Sequence, residues 1–455
     1  MFAVIGTFVH TPALGKIEIL HDRLFCVSDE GVITAILQQD EPAAQQYLDA
    51  YPSSVTVLPA GCFLLPTFAD LHLHAPQFMY LGTGLHLPLM QWLGEYAYHA
   101  EEMLDSNPEL ARSVYTKLTQ RLVKFGTGTA LLFGTIKSET NLILAEVFQA
   151  AGLRAFVGKL SMDISSRPTY VEPSAEAAIE AARAFIADCR GLVGHLQPHE
   201  RLVEPAITPR FVPTCSDTLL TQLGALAKET GVVVQSHLAE AHDQVEWVRE
   251  TRGKDDMDVF DEHGLITDRT VQAHCTFLTP TEMQRLSAAG GKIAHCPLSN
   301  AYFSAKQLPL RQALDQKIGV GLGSDCAGGY SLDVMNAMRM AVSTSRIRQG
   351  ERVLGTVGDS SVGSAPISID WKEALYLATR GGAAALGLST GRFVVGAPFD
   401  AQAIHVHDQQ GQGFGPLDFF EPPAKKMDEK MLEKWWCLGD SSNRTGVWVQ
   451  GRRLL

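Results

Sequence analysis

What these 455 residues lack narrows the field before any motif is read. No run of 18 consecutive apolar residues occurs, so no segment has the length to cross a bilayer as a helix. The eight cysteines (26, 62, 189, 215, 275, 296, 326 and 437) include no Cys-x-x-Cys pair and no compact spacing, which excludes a disulfide framework and leaves reduced thiols. Basic residues are in deficit, 38 against 50 acidic, and the net charge of −12 opposes binding to nucleic acid or an anionic membrane. A free small molecule is the expected partner. Low-complexity tracts and charge blocks are missing too, so disorder is not expected. The apolar start, Met1 to Val9, has no basic n-region and breaks at His10-Thr11-Pro12; it reads as a strand rather than a signal peptide, and the expected location is cytoplasmic. In that compartment Asn443-Arg444-Thr445 matches a glycosylation sequon only by chance.

What is present is an ordinary folding composition, 45% hydrophobic and 19% charged, in a chain long enough for one large domain and a smaller one. Short apolar runs at Ile17–Leu20 and Val32–Ile36, broken by Gly15, Asp29 and Gly31, read as strands and turns. Val394–Phe399 and Val447-Trp448-Val449 look alike. Each end is too short to bury a sheet face alone, so the two ends, 1–62 and 391–455, are expected to form one small β domain. Between them, over 63–390, strands alternate with helices. Ser216 can cap a helix carrying Leu219, Leu220, Leu223 and Leu226, ended by Gly231 and followed by strand Val232-Val233-Val234. Strand Val271–His274 precedes Thr279-Pro280-Thr281-Glu282, a capping box with proline at the first helical position, and that helix ends at Gly290-Gly291. Strand Lys292–Cys296, helix Leu310–Asp315, strand Ile318–Leu322 and helix Ser331–Ser345 continue the pattern. Repeated βα units over this length predict an α/β fold, a (β/α)8 TIM-like barrel.

The chemistry sits at strand ends. In Phe68-Ala69-Asp70-Leu71-His72-Leu73-His74, residues two apart share a face of a strand, so His72 and His74 can bind one ion. Alone, such a pair is weak evidence. Strand Val232–Ser236 delivers His237, with Glu240 three residues later; Val271–Ala273 delivers His274; Ile318–Leu322 leads to Gly323-Ser324-Asp325. Any one of these could be an ordinary polar strand end. Together they place four imidazoles and a carboxylate on the face where such barrels build active sites. Nitrogen and oxygen ligands with an open position suit a catalytic Zn²⁺, which lowers the pKa of its water to about 7; iron or manganese would fit nearly as well. A carboxylate close to the ion but outside its coordination sphere is needed to carry a proton to a leaving nitrogen. Glu240 is placed for that.

Through these residues and the segments that flank them, the chain resembles the amidohydrolase superfamily and, within it, the guanine deaminases. The resemblance covers nearly the whole chain. It is carried by His74-Ala75-Pro76-Gln77-Phe78, Leu87-Pro88-Leu89, Gln91-Trp92-Leu93, Val157-Gly158-Lys159 with Met162-Asp163, Thr208-Pro209-Arg210-Phe211 with Cys215-Ser216, Gln235-Ser236-His237-Leu238-Ala239-Glu240, and Asp325-Cys326-Ala327-Gly328-Gly329. It implies one zinc per subunit on His72, His74, His237 and Asp325. It also implies Glu240 as proton shuttle, His274 as the group that orients the attacking water, and Asp325 as a proton acceptor besides a ligand. Gln77 and Arg210 would contact the base, Trp92 and Phe211 would wall it, and His237 would also face it. The implied reaction is hydrolysis of guanine by water to xanthine and ammonia, in a homodimer. Without that context Arg210 reads as a salt-bridge residue and the aromatics as core. Two positions depart from the pattern: His86 stands where aspartate is usual, which could alter pH behaviour, and Ser324-Asp325-Cys326 replaces threonine-aspartate-valine.

Three other readings compete. A binuclear cyclic-amide hydrolase would carboxylate a lysine, with Lys159 as candidate. Other mononuclear deaminases act on adenosine-type, pterin, cytosine or oxidised-guanine substrates and differ in pocket contacts. A metal-free scaffold predicts eroded ligands, yet all five positions are present. The other zinc nucleobase deaminase architecture needs Pro-Cys-x-x-Cys, which the chain lacks.

Overall fold

The computed structural model describes residues 1–355, 365–420 and 426–455. Eight parallel strands follow one another around a barrel: Phe68–His74, Thr127–Phe133, Arg154–Ser161, Val203–Pro209, Val233–Leu238, Thr270–His274, Lys292–His295 and Gly319–Leu322. Covered by helices outside and side chains inside, they are buried almost throughout, including all seven residues of Thr127–Phe133. The seam between the eighth and first strands is closed by fewer bonds. There the Asp325 amide donates to the His72 carbonyl at 2.8 Å. Glycine permits that approach, since a Cβ on Gly323 would stand 2.8 Å from the His72 Cβ. The expected (β/α)8 barrel is therefore the fold.

Local signals read from the sequence explain several helices. Ser216 Oγ accepts from the Leu219 amide to open Asp217–Thr230, whose Leu219, Leu220, Leu223 and Leu226 are buried and which ends on left-handed Gly231. Thr279 and Glu282 form the capping box of Pro280–Ala288. Each such cap stabilises its helix by about 1 kcal/mol. The helix expected over Ser331–Ser345 runs instead over Val334–Val353, because Asp333 supplies the cap, accepting from the Met335 amide.

The second sheet joins Phe2–Ala13, Lys16–Val27, Ile33–Gln38, Val55–Val57 and Cys62–Pro66 to Ala401–His405, Arg444–Val449 and Arg452–Arg453. Its core includes Phe8 stacked on Phe25, with Phe393 edge-on to both. Three details differ from expectation. Val394–Phe399 is not a strand: Gly396 takes φ +87 and only an isolated bridge forms, between Val32 and Pro398. Cys62–Pro66 pairs with both Phe2–Ala13 and Ala401–His405, so the chain passes from sheet to barrel at Thr67 rather than at 62/63. The C-terminal segment also contains helix Glu429–Leu438, which buries Met431, Leu432, Trp435 and Trp436. Among the described residues no helix is long and apolar enough to cross a membrane.

Candidate active site

Four strand ends converge on one point. His74 Nε2 and His237 Nε2 lie 2.9 Å apart, and Asp325 Oδ1 is 3.3 Å from His72 Nε2 and 3.8 Å from His74 Nε2. Ligand atoms about 2.1 Å from a tetrahedral ion stand about 3.4 Å from one another, so this spacing is that of one coordination sphere. Burial, with neighbouring imidazoles, pushes the His74 and His237 pKa values well below the usual histidine range, which keeps both rings neutral with lone pairs free. His72 is lowered too, chiefly by burial. Its Nε2 and that of His274 are buried with no hydrogen-bond partner. Burial alone would raise Asp325, but His72, His274 and His74 together hold it well below the ordinary carboxylate range. Converging neutral imidazoles and an ionised carboxylate fit a divalent metal ion.

A surrounding layer aims these groups. His237 Nδ1 donates to the Arg210 carbonyl at 2.6 Å, which turns the Nε2 lone pair inward. His274 Nδ1 donates to Asn300 Oδ1 at 3.0 Å with the same effect. Asp70 spans the barrel seam: its carboxylate accepts from the His72 amide at 3.2 Å, the Ser324 amide at 2.9 Å and the Ser324 hydroxyl. Burial raises Asp70 to about 7. Backbone strain concentrates here, for His274 and Asp325 adopt φ +69 and +48, a region that side chains other than glycine rarely enter. His274 Nε2 is 3.5 Å from Glu240 Oε1 and 3.9 Å from Asp325 Oδ2, and burial raises Glu240 to about 7.

Above this floor a small cavity is lined by His74, Gln77, Leu89, Trp92, Arg210, Phe211, His237, Glu240, Phe303 and Asp325 among others. The predicted Gln77, Trp92, Arg210 and Phe211 thus meet the predicted floor, and Trp92 packs on Phe303 at 4.9 Å. Gln77 Oε1 and Trp92 Nε1 are buried and unpartnered within the protein. The expectations for two residues change. Lys159 is committed elsewhere, its ammonium paired with buried Glu172 and bonded to the Leu160 carbonyl, so the carboxylated-lysine reading has no support. His86 is exposed and does not line the cavity.

Four residues escaped sequence reasoning: Asp70, Asn300, Phe303 and Glu101. Asn300 follows the seventh strand, where the strand-end rule already points. Asp70 lies inside the quoted histidine motif. Glu101, on helix Tyr98–Ser106, binds Arg210 Nη1 at 2.6 Å with both side chains buried, and no local signal marks it.

Against known proteins, the Amidohydrolase family profile matches residues 63–454. The chain is 36% identical to the guanine deaminase of Mus musculus over 99% of its own length and 96% of that protein. It is 33% identical to the guanine deaminase of Dictyostelium discoideum, covering 99% and 97%. Among solved structures, guanine deaminase from C. acetobutylicum with guanine bound in its active site superposes with a TM-score of 0.86 at 27% identity, over all of both chains.

Proposed function

The chain belongs to the amidohydrolase family, and from that premise we propose that it deaminates guanine hydrolytically to xanthine and ammonia, using a zinc ion held by His72, His74, His237 and Asp325. The observation that carries the reading is the meeting of that ligand set with Gln77, Trp92, Arg210 and Phe211 around one cavity. When bound there, the ion would lower the pKa of a coordinated water to about 7 and so make hydroxide available at neutral pH. Glu240 lifts a proton from the water and returns it to the 2-amino nitrogen, because an amide ion is too basic to leave unprotonated. Its pKa of about 7 suits both halves of that task. His274, oriented by Asn300, hydrogen-bonds the attacking oxygen, and Asp325 takes up the second water proton, which passes on to ring nitrogen N3, so that xanthine leaves neutral and the carboxylate is restored. Arg210 and Gln77 hydrogen-bond the 6-oxo edge, where adenine would present a donor instead. Trp92 and Phe211 cover the ring faces.

The test is ammonia release from guanine, adenine, cytosine, pterin and 8-oxoguanine, with metal counted per chain. Guanine is expected to turn over fastest, with one zinc per chain. An inert guanine beside an active alternative would replace the substrate assignment.

A further inference from the structure

Arg210 does two things at once. Its carbonyl holds the ring of His237, while the residue also lines the cavity. The main chain is pinned, since the Arg210 amide donates to the Ser161 carbonyl and the carbonyl also accepts from Ser236 Oγ. The side chain is long and flexible, and its direction has to come from elsewhere. Glu101 supplies it: Oε2 accepts from Nη1 at 2.6 Å, and the ring of Tyr98, one turn back on the same helix, lies 4.8 Å beneath the guanidinium carbon. Glu101 is fully buried and Arg210 almost so, which a lone buried charge does not tolerate. Arg210 Nη2 remains buried with no partner in the protein. A buried donor in a cavity wall, unmatched by its own chain, is matched by a ligand's acceptor.

We propose that Glu101 is a positioning residue for substrate recognition: by engaging one amino group of Arg210 and balancing its charge, it directs the other to the 6-oxo oxygen of the purine. The inference rests on the guanine reading and names what makes its oxo contact directional. Glu101 touches neither the substrate nor the metal. Removing its charge therefore costs the oxo contact, and a purine without that oxygen feels the change far less.

The experiment compares guanine with 2-aminopurine, which keeps the 2-amino group and lacks the 6-oxo, by ammonia release from the unaltered protein, E101Q, R210Q and the double variant. E101Q is expected to lower kcat/KM for guanine about 100-fold and for 2-aminopurine less than about threefold. In the R210Q background it should add almost nothing. Equal losses for both purines, or losses that multiply in the double variant, overturn the proposal. If E101Q does not fold, E101D serves, since it retains the charge and withdraws the carboxylate by one methylene; a guanine preference undiminished in E101D overturns the proposal as well. Failure of the unaltered protein on both purines is a failure of the guanine reading instead. Calorimetric binding of the two purines to the same proteins then judges Glu101 by the same ratio.

Discussion

His72, His74, His237, His274 and Asp325 reach the cavity floor from the ends of four parallel strands, whereas Gln77, Trp92, Arg210 and Phe211 form the wall from segments that have already left the barrel. The floor inherits its geometry from the sheet. Register sets where each strand stops, and the Asp70 and Asp325 bonds across the seam hold the first strand to the end of the eighth. Of the wall residues, Arg210 has its amide on the end of the ladder, bonded to the Ser161 carbonyl, but the wall side chains take no direction from the sheet. They are held by side-chain partners, Glu101 on Arg210 and Phe303 on Trp92. Under the proposed function, this division gives reactivity to the floor and selection to the wall.

Changes that break this division are ordered by size. The largest is Glu240→Gln, expected to lower kcat by about 10³-fold or more for every amine substrate while metal content stays at the unaltered level. Loss confined to guanine would move Glu240 to the wall. Next, Asp70→Asn weakens the seam and is expected to lower metal affinity about 10- to 100-fold, read by competition with a chromophoric chelator. Acid comes third. Glu240 works as a base only when ionised, and burial has raised its pKa from 4.5 to about 7. Its ionised fraction, and with it kcat/KM, therefore falls about tenfold per unit as pH drops below 7; a limb near 4.5 would remove that assignment. Trp92→Ala should raise KM for guanine about tenfold with kcat within threefold, since it removes a wall and leaves the floor. The smallest effect is His86→Asp, with less than a twofold change in kcat/KM between pH 6 and 8, because the residue is exposed and off the cavity.

Much of the floor was readable because its signals are local. Two histidines two apart on an apolar strand share a face whatever surrounds them, and a polar residue ending a barrel strand faces the mouth. Local logic also misled. Val394–Phe399 has strand composition, but the turn at left-handed Gly396 leaves room only for the single bridge at Pro398. Helix Glu429–Leu438 carries a local signal of its own, Asp428 accepting from the Met431 amide at its start.

Glu101 and Glu102 show where local reading ends. They are adjacent glutamates on one helix. Glu101 is fully buried against Arg210, 109 residues away, while Glu102 is half-exposed and bonds to Arg167. Nothing in the residues around them separates the two. By itself the sequence determined the barrel and the placing of His72, His74, His237, Glu240, His274 and Asp325 at or just beyond its strand ends, since hydrophobic period and strand termini act over a few residues. The tertiary structure alone decided which buried charges pair, how the seam closes at Asp70, and what holds Arg210 in place. Those contacts join segments dozens to hundreds of residues apart, and a carboxylate's partner depends on what the whole fold brings within reach.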